Sequence, residues 1–441
     1  MRDEKNQPPV TGHGSRFMSG GMHALHKILA DKARPRRAVV KAGEYIEVEP
    51  DAYSAIVGVN AGEARRLAAD LVELGIEELP LRDRIFANAD HASPAPTPAF
   101  AASQKAWRDF YKSYGITIFD GGMGVSHLVM VEQGIVVPGS MAIAVDSHGA
   151  TMGAVGCYAT SLGGGRLTLF AIGRYWIEVP KVTLVRITGR MGKGVLGRDV
   201  ALYVNGRLGQ RGAYGNAVEF AGPFVDALSM DMRFTLCNMG IELGAVASYL
   251  QPDATTLDWV KKRTSRTYKV HETDRDYAYD SVHEIDISAI APQIAVPHAP
   301  DDVKPVTAVA GTRVDQAYLG SCASGRVEDL EIAARVMKGR QVHPDVRFIV
   351  TPGSREVLKE ATKLGYISVL HEANAIVTNA NCGACPGLHG GILGAGEVAI
   401  TSITRNFEGR MGTGGQIYLA SPATVAASAI EGCIASPLKY F

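Results

Sequence analysis

The chain has 441 residues, 46% hydrophobic and 20% charged, so it can bury a large core; at ~150 residues each, about three domains are expected. Its 45 basic side chains balance 45 acidic ones, and zero net charge argues against a broad nucleic-acid surface, which needs a basic excess to release counterions. No apolar run approaches the roughly 18 residues of a membrane span, and six cysteines are too sparse for a disulfide scaffold, so a soluble cytoplasmic enzyme is the expectation.

In chain order, MRDEKNQPPVTGHGSRFMSGG (1–21) is polar and has no apolar stretch after its charges, so it reads as a loose tail rather than a secretory signal. The strand RIFANA leads into ANADHASPAP, where Asp90 stands beside His91. A neighbouring carboxylate orients a histidine and raises its pKa, which suits a general acid; a plain hydrogen-bonded loop pair reads the same. In GMGVSHLVMVEQG, His127 lies between a glycine turn and an apolar run and is ambiguous. SMAIAVDSHGATMGAVG (140–156) predicts a strand, a polar triad of Asp146, Ser147 and His148, and the start of a Gly/Ala-rich helix. Burying three polar groups behind such an apolar run needs a reason. CNMGIELGA carries Asn238 and Glu242, which share one face of a helix and so can enter one cleft. The stretch 270–305 is polar, acidic and proline-rich, and a domain boundary is expected at its end.

Beyond it the alternation is regular. VRFIVTPGS (346–354) predicts a buried strand and turn, followed by a helix in which Val357, Leu358, Ala361 and Leu364 share a face. AIV (375–377) and EVAITSI (397–403) predict strands, and SPATVAASAIEG (421–432) a helix ended by glycine. Strand, loop and helix repeated in this way indicate a parallel α/β sheet, and such sheets bind ligands beyond the carboxyl ends of their strands. Cys322, Cys382, Cys385, Arg405 and Arg410 all fall in loops directly after predicted strands, so they can converge.

The pair Cys382 and Cys385 lies in NANCGACPGLHGG (379–391), and Cys322 in YLGSCASGRVEDL. A structural zinc site wants four ligands at close spacing, and His389 is the only histidine near the pair. A thiol–disulfide switch wants the pair to open a helix, which Pro386 and the following glycines oppose. Three thiolates in small-residue loops suit a [4Fe–4S] cluster with one iron free of protein sulfur, able to act as a Lewis acid. Buried structural thiols remain the plain alternative. Cys157, Cys237 and Cys433 sit in apolar or Gly/Ala settings and read as core. Arg405 and Arg410, in TRNFEGRMG, suit bidentate carboxylate binding, although paired loop arginines often just face water. Taken together, carboxylate-binding arginines, an open iron and His/Asp/Glu proton handlers describe hydration or dehydration of a hydroxy-acid.

GSCASGRVEDL, CGACPG, VDSHGATMGAVG, CNMGIELGA and ITRNFEGRMG resemble the motifs of the aconitase superfamily. HALHKILADKA, AGEYIEVEPD and the closing YLASPATVAASAIEGCIASP are most similar to the large subunit of 3-isopropylmalate dehydratase, from about residue 22 to the end. The resemblance implies an aconitase-like α/β fold in three domains, 22–182, 183–303 and 304–441, around a central cluster and without the swivelling fourth domain. It implies that Cys322, Cys382 and Cys385 ligate a [4Fe–4S] cluster whose labile fourth iron binds substrate. Asp90 and His91 match the acid dyad; Asp146, Ser147 and His148 the DSH motif, with Glu242 paired to a histidine there. His127 matches the histidine of a G-x-x-H turn, Asn238 a cluster-contacting asparagine, and Arg405 and Arg410 the substrate-binding arginines. The implied substrate is a hydroxy di- or tricarboxylic acid such as 3-isopropylmalate, an intermediate of leucine biosynthesis. Homoaconitate, dimethylmalate and maleate or citraconate chemistry are the alternatives, and a cluster-dependent RNA-binding regulator is a more distant one.

Three departures from that pattern stand out. Ala323-Ser324 replaces the usual Thr-Asn after the first cysteine, Thr404 replaces an asparagine, and GVNAGEARRL (58–67) lacks the usual His-Asp or Thr-containing motif. They leave a substrate other than isopropylmalate open. The family's serine base lies in a G-S-S-R-E-like motif on the swivelling domain. The nearest match, PGSREV (352–357), is one serine short and reads as an ordinary strand–helix turn. A separate small subunit of under ~200 residues carrying the base is therefore expected.

Overall fold

Strands form where short apolar runs are bounded by glycine or polar turns. The computed structural model describes residues 20–162 and 165–441, so most of the expected tail lies outside the described residues. The first large sheet is wholly parallel, in the order Thr117–Phe119, Ile85–Asn88, Ala52–Ile56, Met141–Ala144, Tyr158–Ser161. The second is also parallel and runs Ala247–Tyr249, Ala217–Ala221, Val182–Thr188, Ser281–Asp286. The third has seven strands: Val303–Pro305, Gln293–Ala295, Gln416–Ala420, Val398–Thr401, Gln316–Gly320, Arg347–Thr351 and Ile376–Val377. It is parallel from Gln416–Ala420 onward, while Gln293–Ala295 is antiparallel to both of its neighbours. A two-stranded ribbon pairs Tyr45–Val48 with Tyr175–Glu178.

The expected alternation in the C-terminal third is present, with helices at Arg355–Lys363 and Pro422–Glu431. Val357 and Ala361 are buried while Leu364 is exposed at the helix end, and Gly432 stops the last helix in the left-handed conformation. The stretch 270–305 holds more structure than its composition suggests. Ser281–Asp286 completes the second sheet, while Gln293–Ala295 and Val303–Pro305 form the antiparallel edge of the third. One apolar core joins side chains from all three sheets, among them Ala142, Val185, Phe220, Tyr318 and Ile417.

The Gly/Ala-rich segment after the first-sheet strand Met141–Ala144 is not an α-helix but a nine-residue 3₁₀-helix, Ser147–Val155. Runs of that length are uncommon, and close packing accounts for it. A Cβ on Gly153 would lie 1.8 Å from the Ser248 carbonyl oxygen, and one on Gly149 2.4 Å from the Ala144 Cβ. The segment is pressed against two sheets at once and takes the narrower helix.

Candidate active site

Carboxyl ends of strands from the first and third sheets meet at one place. The helix Pro98–Ser113, capped by Thr97 with Pro98 in its first turn, fixes the first-sheet loops there. Gln104 Nε2 donates to the His91 and Ala92 carbonyls at 3.3 and 2.8 Å, and Ser103 Oγ to the Gly58 carbonyl at 3.1 Å. Trp107 Nε1 donates to the Asn60 carbonyl at 3.0 Å, so the loop opening GVNAGEARRL is held beside the Asp90–His91 turn.

Asp90 is fully buried and uses both oxygens. Oδ1 meets His91 Nδ1 at 2.8 Å and Oδ2 accepts from the Ser126 amide at 2.7 Å. His91 Nε2 is then directed toward Asp146 Oδ2, 3.7 Å away. Burial alone would lower the His91 pKa, but the carboxylates of Asp90 and Asp146 outweigh it and raise the pKa to about 9, so the ring is an imidazolium at neutral pH.

Asp146 caps the 3₁₀-helix by accepting from the His148 amide at 2.7 Å. Burial opposes its charge, yet hydrogen bonding from His148 and the surrounding imidazoles hold it well below the usual carboxylate range. His148 Nε2 meets Glu242 Oε1 at 3.1 Å, and the same oxygen accepts from Arg405 Nε at 2.8 Å. Arg405 Nη1 donates to Ser147 Oγ at 3.2 Å. Asn238 lies in the last turn of the helix Met230–Met239 and Glu242 in the separate 3₁₀ turn after it, Gly240–Leu243, so the two do not share one helix face as the sequence suggested. His127, in the helix Ser126–Glu132, is fully buried, and burial lowers its pKa to about 4, so it is neutral.

The three cysteines are buried here together. Cys322 follows the interior strand Gln316–Gly320 of the third sheet and packs with Cys382, Val125 and Leu128. The Cys382 amide donates to the Asp90 carbonyl at 2.9 Å, and the ligating atoms of Asp90, His91 and Cys382 all lie within 4.8 Å of one another. The 382–391 segment forms turns and no helix. Gly383 has φ +56, and a Cβ there would lie 2.0 Å from the Tyr318 hydroxyl oxygen, so the loop between the paired cysteines has room only for glycine. Burial pushes Cys322 up to about 12 and Cys382 well above its usual range. Against the same burial, the Arg410 guanidinium, whose Nη2 lies 3.3 Å from Cys385 Sγ, brings Cys385 down.

These contacts draw the site residues expected from the sequence into one largely buried cluster of side chains. Whether the cleft suits a [4Fe–4S] cluster can be tested on its walls. It offers three buried thiols, which are what such a cluster takes as thiolates: Cys322 from the four-residue helix Ser321–Ser324, where a loop was expected, and Cys382 and Cys385 from the turns of 382–391. Around them are buried polar atoms with no protein partner: both His127 ring nitrogens, Asn238 Oδ1, Ser324 Oγ, Thr404 Oγ1 and Arg410 Nε. Buried polar groups are normally satisfied, and this concentration fits a polar, anionic group seated among them. Ser354, of the partial serine motif, stands apart: it is buried, donates to Glu132 Oε1 at 2.9 Å and caps the helix that follows. Arg198, which no sequence motif marked, is buried on the helix Gly197–Leu208 and donates to the carbonyl of Ile403, two residues before Arg405. An arginine in an amphipathic helix reads as solvated, and only its burial distinguishes it.

Comparison with known proteins gives a consistent picture. The Aconitase family (aconitate hydratase) model matches residues 99–312 and 304–432. A probable methanogen homoaconitase large subunit of Methanothermobacter thermautotrophicus is 41% identical over 94% of this chain and 97% of its own. A 3-isopropylmalate dehydratase large subunit 1 of Methanopyrus kandleri is 44% identical over 84% of this chain and 89% of its own. The 3-isopropylmalate dehydratase large subunit of Caldanaerobacter subterraneus subsp. tengcongensis is 41% identical over 95% and 99%. Among solved structures, Thermococcus kodakaraensis aconitase X (holo-form) aligns with a TM-score of 0.49 at 11% identity, covering 82% of this chain and 84% of that one.

Proposed function

The chain belongs to the aconitase family and is a hydro-lyase, and on that footing we propose that it is the large, catalytic subunit of an enzyme that dehydrates and rehydrates a hydroxy di- or tricarboxylic acid such as 3-isopropylmalate. The observation that carries this reading is the convergence of three buried cysteines, the Asp90–His91 pair and two arginines in one cleft. Cys322, Cys382 and Cys385 would hold a [4Fe–4S] cluster, whose sulfur-free iron supplies a Lewis acid for the substrate's hydroxyl and one carboxylate.

The chain's own side chains account for the rest. His91, charged and oriented by Asp90, gives its Nε2 proton to the departing hydroxyl oxygen, so that oxygen leaves as water. In the hydration direction the same nitrogen takes the proton back. Arg405 is locked by Glu242 and Ser147, which leaves its remaining donors set to receive a carboxylate; Arg410 faces the same space from the cysteine side. His148 holds Glu242 in place from behind. His127, neutral and with both ring nitrogens free of protein partners, offers one donor and one acceptor to the substrate. The proton on carbon is taken by a base on a separate small subunit, a reading favoured by the "large subunit" names of the relatives and by the capping role of Ser354.

A homoaconitate-type acid is the second reading. It is favoured by the homoaconitase-named relative and by the altered lining at Ser324 and Thr404. Both readings are tested by assaying iron- and sulfide-reconstituted chain, with and without its small subunit, for the ultraviolet absorbance of the enoyl-diacid product across a panel of hydroxy-acids. Turnover of one acid only when both subunits are present is the expected result. Full-rate turnover by the isolated chain would remove the partner, and a Cys385→Ala variant that keeps a full cluster would remove the ligand assignment.

A further inference from the structure

The turn that carries the acid dyad, residues 90–93, has each of its carbonyl oxygens answered, and the donors come from two directions. Gln104 Nε2, on the helix Pro98–Ser113, donates to the His91 and Ala92 carbonyls at 3.3 and 2.8 Å. The cysteine loop supplies the rest: the Cys382 amide donates to the Asp90 carbonyl at 2.9 Å, and Asn381 Nδ2 to the Ser93 carbonyl at 2.8 Å. The other end of the Asn381 side chain stays on its own loop, where Oδ1 accepts from the Gly383 amide at 2.6 Å. A carbonyl only accepts and an amide N–H only donates, so these two partners fix which end of the Asn381 amide is which. Asn381 is buried, and it spends its two polar ends on segments 288 positions apart in the chain. The turn needs holding. Ala92, directly after His91, has φ +49, a left-handed conformation unfavourable for a residue with a Cβ that persists only where its surroundings over-determine it. Released, Ala92 would return to negative φ and carry the His91 ring off its line to Asp146 Oδ2, 3.7 Å away.

We propose that Asn381 is a positioning residue that joins the acid-dyad turn to the cysteine loop, so that one buried amide sets His91 and the paired cysteines relative to each other. The join belongs to the chain itself; only its catalytic consequence rests on the function proposed above. The plain alternative is that Asn381 shapes its own loop and nothing more, since asparagine side chains commonly bond a backbone amide two residues on.

Asn381→Ser separates the two. A serine hydroxyl can take the Gly383 amide in the same kind of turn but is too short to reach the Ser93 carbonyl. Asn381→Ala loses both bonds, and Gln104→Met frees the turn from the helix side alone. Hydrogen exchange on the full chain, before cluster reconstitution, reads the join. Asn381→Ser should speed exchange about fivefold, the equivalent of one lost hydrogen bond, in peptides covering Asp90–His91 and Ser126 as well as Cys382–Cys385, whereas Gln104→Met should speed it at the turn alone. After reconstitution, with the small subunit present, Asn381→Ser should lower kcat on the order of tenfold to a hundredfold with little change in KM, and should lose iron to a chelator faster than wild type. The proposal is overturned if Asn381→Ser matches wild type while Asn381→Ala speeds exchange within the cysteine loop only, which would make Asn381 a turn-former for that loop. Uniformly faster exchange across the whole chain in Asn381→Ser overturns it too, as a global loss of stability. If Asn381→Ser does not fold, Asn381→Thr carries the same contrast. Wild-type chain that takes up no cluster and turns over no hydroxy-acid would remove the proposed function, and the exchange experiment would still decide the join.

Discussion

Gly383 offers the sharpest test of how the cysteine loop is built. It lies between Cys382 and Cys385 at φ +56, and a Cβ would come 2.0 Å from the Tyr318 hydroxyl oxygen and 3.0 Å from Thr351 Oγ1. Tyr318 is fully buried on an interior strand of the third sheet and has no room to swing aside. Gly383→Ala therefore combines left-handed strain of about 1–2 kcal/mol with overpacking of about 1–3 kcal/mol, on the order of 2–5 kcal/mol together. Unfolding entropy for 441 residues is ~0.9 kcal/mol/K, so roughly 3 kcal/mol lowers the melting temperature by only ~3 °C. The larger expected effect is local: the loop moves outward, Cys382 and Cys385 part from Cys322, and iron per chain falls. Tyr318→Phe removes the nearest oxygen but leaves the ring carbon 3.0 Å from the new methyl. The double variant should thus recover about 1 kcal/mol of the overpacking and part of the iron, but none of the backbone strain. Iron content and melting temperature of the four proteins make the cycle. Strict additivity, or a Gly383→Ala chain that loads iron like wild type, refutes the reasoning.

Three further outcomes follow from the same geometry. Asp90→Asn weakens the charge and orientation of His91 while leaving the cysteines in place, so kcat should fall about 10²–10⁴-fold at unchanged iron content; an unchanged kcat removes His91 as the acid. Arg405→Lys loses the guanidinium contacts to Glu242 at 2.8 Å and Ser147 at 3.2 Å, and KM should rise on the order of tenfold to a hundredfold, measured by steady-state kinetics with both subunits. Glu132 is raised from 4.5 to about 7 by burial, against the Ser354 hydroxyl hydrogen bond. A folded-state pKa above the unfolded one means that this group's stabilising contribution is complete below about pH 4.5 and is lost as the pH rises through about 7. The melting temperature of Glu132→Gln should gain on wild type between about pH 5 and about pH 8, and a pH-independent difference would show that Glu132 is ionised in the fold.

How much of this was legible in the sequence depended on whether one stretch of chain carried the whole signal. Strand-then-loop patterns placed Cys322, Asp146 and Arg405 at strand ends, because a parallel sheet fixes where its loops lie. The network joining His148, Glu242, Arg405 and Ser147 did not follow from those placements, because Glu242 lies in a 3₁₀ turn and not after a strand; only the family resemblance paired it with a histidine. Composition misled where tertiary packing overrode it. Gly149 and Gly153 suggested an ordinary helix start, yet contacts to Ala144 and Ser248, the latter nearly a hundred residues downstream, set the 3₁₀ winding. The polar texture of 270–305 concealed strands whose partners lie at 183–188 and 419–420. Arg198 was invisible for the same reason: burial is a property of the assembled sheets, and GVLGRDVALY contains nothing to announce it.

The departures from the family pattern fall on the lining of the cleft and spare its frame. Ala323 contributes its backbone, whose carbonyl accepts from Thr235 Oγ1 at 3.0 Å, a contact any residue there would supply. Ser324 and Thr404 differ in kind, since both are fully buried and their hydroxyls have no protein partner. A buried hydroxyl left unsatisfied costs about 1–3 kcal/mol, and on the proposed reading a group bound in the cleft would answer the two. Where the pattern has asparagine amides, this chain has the shorter Ser324 and Thr404 hydroxyls. On the proposed reading, the reaction rests on the cysteines, the acid dyad and the arginines rather than on these two positions. On that same reading, the two hydroxyls bear on which acid is accepted, together with whatever surface a small subunit would bring.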